Sequence, residues 1–243
     1  MKGRFHNFEA HRNEWESHFF RREIWTIKLA AHGGRPLLEL LAERPEVNLW
    51  EMKVSISEAH VIRELLQSGF FVSDSACDFA LDIKTLEKRP PAANLAVDYA
   101  KSKDIARIEA LVDQAEFPTR FMRQPFDEFE GRKFYKTWAR NAIDGSFDDL
   151  CLIAGYDGAI DAFLTLRRGE GETARIGIVS THKSARGKGL GASLHYAAAD
   201  VAKDWGKLRL SVSTQMINQA MMRLLPGLGA SLISSELMLY RVA

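Results

Sequence analysis

The stretch KSARGKGLGASL, Lys183 to Leu194, decides how this chain is read. Gly187, Gly189 and Gly191 fall at every second position, with Arg186 and Lys188 beside them. Leu190, Leu194, Ala197, Ala198, Val201 and Trp205 then recur at helical spacing. A helix N-terminus offers amides without intrahelical partners and the positive end of the dipole, and phosphate binds there. Glycine lets the backbone approach closely and adopt left-handed conformations. Two cations add charge-assisted hydrogen bonds. The stretch therefore reads as a diphosphate cradle between a strand at 174–181 and a helix at 189–205.

Three phosphate-binding patterns compete for it. The P-loop spacing G-x-x-x-x-G-K-[ST] does not occur in the sequence. GKGLGA, Gly187 to Ala192, formally meets the dinucleotide pattern G-x-G-x-x-G/A. The next strand, however, runs into SVSTQ, without the acidic residue that would hold a ribose. The third pattern is Arg-x-x-Gly-x-Gly, met by Arg186, Gly189 and Gly191.

Working outward, LEKRPPAANL at 86–95 reads as a linker of charge, double proline and small residues. It predicts domains at 1–90 and 91–243. After it come a strand at 94–100, helices at 103–117 and 132–144, and strands at 150–155, 159–167 and 174–181. The glycine-led helix follows, then a strand at 208–214, a helix at 218–225 and a strand at 232–242. The order β-α-α-β-β-β-α-β-α-β predicts an α/β fold with a mixed central sheet and helices packed on it. The N-terminal part reads as a smaller α/β domain: strand 25–29, helix 36–42, strand 49–56, helix 57–67, strand 76–83. RELLQSGF at 63–70 and RLLPGLGA at 223–230 both place glycine six residues after arginine, before an apolar strand. Two readings stand open: an internal half-repeat, or coincidence, since helix-glycine-strand is a common sequence of elements.

Composition bounds the partners. The 243 residues carry 33 basic and 32 acidic side chains, a net charge of +1. No global field recruits nucleic acid or an anionic membrane. No apolar run reaches the ~20 residues of a membrane span, and the N-terminus lacks a signal-peptide core. A cytoplasmic protein with a small-molecule substrate is expected. Cys77 and Cys151, far apart in apolar contexts, read as reduced core thiols. No His/Cys/Asp spacing suggests a metal.

The Arg186–Gly191 pattern, in this element order, resembles the coenzyme A pyrophosphate loop of the GCN5-related N-acetyltransferases (GNAT). The resemblance covers residues 94–243 and implies a GNAT fold with a mostly antiparallel sheet and acetyl-CoA as co-substrate. It implies that Arg186, Gly187, Lys188, Gly189, Leu190, Gly191 and Ala192 wrap the pyrophosphate. Backbone amides at Val179, Ser180 and Thr181 would polarise the thioester carbonyl, where this strand splays from its neighbour at 208–214. Asn218 stands where the family's Asn motif opens a helix. A closer likeness extends over nearly the whole chain. ESHFF, TRF, GRKFYKTWARNAIDGSFDD, TARIG, STQMIN and LYR look like the branch of the family that acetylates the 4-amino group of dTDP-4-amino-4,6-dideoxy sugars, the dTDP-fucosamine acetyltransferases. A homodimer is implied only by that likeness. Arg120, Phe121 and Tyr135 would then contact the nucleotide sugar, with Arg123, Arg132, Phe126, Phe129 and Trp138 as further candidates. Phe134 and Trp138, at helical spacing, also read as core.

Two departures stand out. The segment 179–186 is full length here, whereas that branch lacks part of it. The tyrosine that the family carries seven residues after the Asn is Leu225 in this chain. The sulfur's partner is then sought at Asn218, Ser213, a water or Tyr240. Acetylation of another small or protein amine remains open, as does an acyl-CoA-binding module without catalysis.

Overall fold

The computed structural model describes residues 6–87 and 94–243. Pro90 and Pro91 of the expected linker lie outside the described residues. The chain forms two compact units. Unit 1 takes residues up to Ala76, Thr119–Glu130 and Ser234–Ala243; unit 2 takes Cys77–Pro118 and Gly131–Ile233.

Unit 1 holds β1 (Phe8–Arg12), α1 (Glu14–Phe20), β2 (Ile24–Leu29), α2 (Leu37–Ala42), β3 (Leu49–Ser55), α3 (Ala59–Gln67) and the first half of β4 (Phe71–Asp82). β1 runs antiparallel to β2, and β2 runs parallel to β3. Phe8, Ile27, Leu37, Trp50, Met52, Val61 and Leu65 fill its core. The pair β1 and α1 has no counterpart in the sequence expectations. Its helix starts at Asn13, whose side chain accepts the Glu16 N–H at 3.2 Å. β4 begins at Phe71, five residues before the expected strand. Ser73 and Asp74, the polar residues at its start, are both buried in the strand. Ser73 donates to the Gln124 carbonyl at 2.8 Å, and Asp74 accepts the Arg120 amide at 2.8 Å. Those partners remove the cost of burying them.

Unit 2 holds β5 (Leu95–Tyr99), α4 (Ile105–Gln114), α5 (Glu128–Asp144, in this unit from Gly131), β6 (Leu150–Tyr156), β7 (Ala162–Arg168), β8 (Thr173–Thr181), α6 (Leu190–Asp204), β9 (Arg209–Gln215), α7 (Gln219–Gly227) and the first residues of β10 (Ser231–Val242). The strand order is β9-β8-β7-β6-β5. The β5–β6, β6–β7 and β7–β8 pairs are antiparallel and β8–β9 is parallel, so the sheet is mixed and mostly antiparallel. Leu190, Leu194, Ala198 and Ala202 of α6 pack on one face, against Leu164, Ile176, Leu210 and Val212. β7 is buried on both faces from Ala162 to Leu166, as a central strand must be. Cys77 and Cys151 are both free and buried, and burial pushes the Cys151 thiol up to about 12.

The suspected half-repeat is geometric. β3-α3-β4 recurs as β9-α7-β10 with every boundary displaced equally: Leu49 and Arg209, Ala59 and Gln219, Phe71 and Ser231. Both helices end alike. The Phe70 N–H bonds Leu65 O at 3.1 Å, and the Ala230 N–H bonds Leu225 O at 3.0 Å. Gly69 and Gly229 both have φ of 87°. The last strands do not stay with their own repeats. β10 pairs antiparallel with β3 in unit 1, from Glu236↔Ser55 to Val242↔Leu49. The second half of β4 belongs to unit 2, where the Ile83 N–H bonds Leu208 O just before β9.

On the sheet face opposite α6, Gly177 makes room for three side chains. A Cβ there would lie 2.5 Å from Asp148 Oδ2, 2.6 Å from Thr165 Oγ1 and 3.0 Å from Trp138 Cζ2. Asp148 and Thr165 are fully buried and have nowhere to move. Gly177→Ala is expected to cost about 1–3 kcal/mol of stability through overpacking, measured by chemical denaturation.

Candidate functional site

The registered pairs between β8 and β9 run from Thr173↔Arg209 to Ile176↔Val212 and stop there. β8 nevertheless continues to Thr181, held on its other edge by β7 through Val179↔Leu164, Ser180↔Phe163 and Thr181↔Ala162. β9 continues to Gln215. The two strands therefore part after Ile176 and Val212, leaving β8 main-chain groups on the β9 side without ladder partners. Val179 and Thr181 are half-buried and Ser180 is buried.

The glycine stretch starts at the end of that strand. The His182 N–H bonds Asp161 O at 2.7 Å, fixing the exit from β8. A single 3-10 turn, Lys183–Ala185, is capped by the His182 side chain, which accepts the Ser184 N–H. Gly187 and Gly189 then take φ of 77° and 86°. A Cβ at either would meet nothing within 4 Å, so backbone conformation rather than crowding demands glycine there. α6 has no side-chain cap, and the Ser193 N–H to Gly189 O bond (3.0 Å) closes its first turn. The amides before Ser193 are left pointing out of the helix end. The Tyr156 hydroxyl clamps the loop by donating to Lys188 O at 2.6 Å. Gly191 has a separate reason, since a Cβ there would lie 3.1 Å from Leu224 Cδ2 of α7. Arg186 is exposed, with Glu116 at 3.4 Å. Uncapped amides, open space and two cations suit a diphosphate, which would take the place of Glu116 beside Arg186.

Asn218 caps α7, its side-chain oxygen accepting the Met221 N–H at 3.3 Å. Leu225, at the family's tyrosine position, is fully buried in the unit 2 core. His195 is also fully buried, with Nδ1 at 2.7 Å from Gly191 O. Burial lowers its pKa, so the ring is neutral and Nδ1–H donates to that carbonyl. Sequence reasoning missed two groups at the parting strands: Arg175 of β8 and Asp78 of β4 both bond Ser213 of β9. The period-two alternation of their half-buried positions was the available signal.

The expected substrate residues divide between the units. Tyr135 is buried in unit 2 and stacks on Phe117 at 4.2 Å. Arg132 bonds Val112 O at 2.9 Å and Asp113 O at 2.6 Å, neutralising the C-terminal end of α4. Trp138 donates to Asp148 at 2.6 Å, and Phe134 is buried. Phe129 is exposed. Arg123 reaches Ser73 O at 3.5 Å in unit 1.

Arg120, Phe121 and Tyr240 lie in the interior of unit 1. The Arg120 guanidinium donates to Glu16 and to Glu51, each at 2.6 Å, and to the Tyr240 hydroxyl. It rests 4.2 Å above the Phe121 ring. Glu51 also accepts from Thr26 at 2.7 Å and from Asn13 at 3.0 Å. Phe20, Phe121 and Phe126 wall the cluster, and Phe126 meets Tyr240 edge-on. Tyr240 is fully buried, and burial raises its pKa well above the usual phenol range. Two carboxylates share one guanidinium. Glu51, held by more donors, stays below the usual carboxylate range, while burial pushes Glu16 up to about 7. ESHFF, TRF and LYR, scattered along the sequence, thus supply Glu16, Arg120 and Tyr240 to one cluster.

Residues 114–229, from the end of α4 through α7, match the acetyltransferase (GNAT) family. The chain carries a GNAT acetyltransferase domain. Its fold agrees, because solved GNAT structures superpose on nearly all of it. A GCN5-related N-acetyltransferase from Sphaerobacter thermophilus covers 97% of this chain and 76% of its own, at TM-score 0.65 and 13% identity. One from Kribbella flavida covers 90% and 81%, at TM-score 0.62 and 14% identity. In sequence, the chain is 29% identical over 228 residues to the dTDP-fucosamine acetyltransferase of Escherichia coli O6:H1, spanning 93% of this chain and 95% of that protein. This GNAT protein is an N-acetyltransferase. Among the described residues no helix is long and apolar enough to cross a membrane, and no cluster of three metal-ligating side chains occurs.

The Glu16 proton makes stability depend on pH with a definite sign. Its folded pKa lies above its unfolded value, so its stabilising contribution is present below about 4.5 and is lost as pH rises through about 7. Glu16→Gln keeps an acceptor for Arg120 and leaves Glu51 to balance the charge. Between those pH values, wild type is expected to lose up to about 3 kcal/mol relative to Glu16→Gln, at 1.36 kcal/mol per pKa unit. Urea denaturation of both proteins across that range checks it.

Proposed function

We propose that this N-acetyltransferase transfers acetyl from acetyl-CoA to the amine of a dTDP-linked 4-amino-4,6-dideoxy sugar. The observation that carries the acceptor is the likeness, across nearly the full length of both chains, to a dTDP-fucosamine acetyltransferase. Acetyl-CoA supplies the activated thioester. Amides of Gly187, Lys188, Gly189, Leu190, Gly191 and Ala192, with the Arg186 and Lys188 side chains, hold its diphosphate. The free edge of Val179, Ser180 and Thr181 aligns the pantetheine arm and points an N–H at the carbonyl oxygen. Such a preorganised donor stabilises the developing oxyanion by about 2.7–4 kcal/mol. Asn218, whose side-chain oxygen caps α7, offers its NH2 group to the same arm. Holding amine and thioester together supplies the proximity term. A sugar amine among ring oxygens is less basic than lysine, so its neutral, nucleophilic form is accessible near neutral pH.

Mass spectrometry of a reaction with acetyl-CoA and dTDP-4-amino-4,6-dideoxygalactose tests the acceptor. One added acetyl group on the sugar is expected; no mass gain with any dTDP-4-amino sugar rejects this acceptor. The cradle is tested separately. Arg186→Glu with Lys188→Glu is expected to weaken acetyl-CoA binding at least ~10-fold by calorimetry, from two lost charge-assisted bonds. The melting temperature should hold, because both side chains are exposed.

A further inference from the structure

The last paired residues of β8 and β9 are Ile176 and Val212, so Ser213 is the first β9 residue past the point of parting. Its half-buried side chain alternates with buried Val212 and Thr214 and lies on the sheet face away from the α6 core. Arg175, by the same alternation in β8, is on that face too. There Arg175 Nη2 donates to Ser213 Oγ at 3.0 Å, and Ser213 Oγ donates to Asp78 Oδ1. Three strands thus each contribute one residue to an ordered chain: guanidinium, hydroxyl, carboxylate. The α6 face is closed by packed Leu, Ile, Val and Ala side chains, whereas Asp78, Arg175 and Ser213 on the other face are only half-buried. Leu225, sealed in the core, offers nothing to a sulfur.

We propose that Ser213 is the catalytic proton donor to the departing sulfur and that Asp78 is its proton source. This rests on the acetyl-CoA-dependent reaction proposed above. As the C–N bond forms, the nitrogen sheds one proton, which Asp78 accepts. As the C–S bond breaks, Ser213 delivers its hydroxyl proton to the sulfur and recovers one from Asp78. The side chains end as they began, and no further reactant is needed. Arg175 is a positioning residue: by donating to Oγ it turns the hydroxyl proton toward its acceptors and favours transient negative charge on that oxygen.

The decisive readout needs no acceptor amine. The thiol of enzyme-bound coenzyme A is titrated by ultraviolet absorbance of its thiolate. A donor hydroxyl lowers a thiol pKa, so Ser213→Ala is expected to raise that of the bound thiol by about one unit, the worth of one hydrogen bond. Affinity for coenzyme A, set at the glycine loop, should change less than about 3-fold by calorimetry. In turnover, Ser213→Ala and Asp78→Asn should each lower kcat about 10²-fold, while Ser213→Thr, which keeps the hydroxyl, restores kcat to within about 10-fold of wild type. An unchanged thiol titration in Ser213→Ala overturns the proposal, as does unchanged kcat. A wild-type protein that binds no coenzyme A overturns the parent reading and this one with it, whereas normal binding with indifferent variants overturns this one alone.

Discussion

The parting of β8 from β9 is the constraint on which the functional geometry rests. A parallel ladder normally satisfies every main-chain group along its edge. Here the ladder is given up after Ile176 and Val212, while β7 holds β8 to Thr181 across a register shift between Leu166↔Ile176 and Leu164↔Val179. Two local bonds hold the strand ends in place. The His182 amide is tied to Asp161 O, and the Asn218 amide turns back onto Gln215 O at 2.9 Å. The first leads directly into the glycine loop and the uncapped start of α6. The second starts α7, whose Leu224 comes close to Gly191. Unpaired strand edge and bare helix end therefore follow one another along the chain within unit 2.

Unit 1 is organised by a different economy of charge. Burying Arg120 with Glu16 and Glu51 costs desolvation, and the two carboxylates with the Tyr240 hydroxyl outweigh it at the guanidinium, holding its pKa above the usual arginine range. What the arrangement secures is position. The guanidinium ties α1, β3, β10 and the segment at 119–130 together, and the phenyl rings of Phe20, Phe121 and Phe126 exclude water around it. Removing one partner would strand a buried charge, so the members stand or fall as a set. ESHFF, TRF and LYR, far apart in the sequence, each bring one member of the set.

The elements that proved legible are those with local causes. The helix at 190–204 and the strands at 150–156 and 173–181 declare themselves by periodicity, and the glycines by backbone conformation. β4 starts five residues before its expected strand, because polar Ser73 and Asp74 are accommodated only by Gln124 O and the Arg120 amide, distant in sequence. α1 has no legible signal, because a short, aromatic and acidic helix with an Asn cap has little periodicity to display. Arg132 looked like a phosphate ligand, since an arginine's partner cannot be read from its neighbours in sequence; it serves the carbonyls ending α4.

By itself, the sequence determined the glycine-rich loop, the helix it starts, and the order of a repeat whose two copies close with a glycine at φ 87°. Each depends on residues a few positions apart, where backbone conformation and side-chain period are sufficient. Only the tertiary structure decided that β3 takes β10 as its neighbour, that Arg120 lies between two glutamates, and that Ser213 joins Arg175 to Asp78. These partners are distant along the chain. Strand pairing and burial of charge are settled by competition among all available surfaces, so no local pattern can encode them.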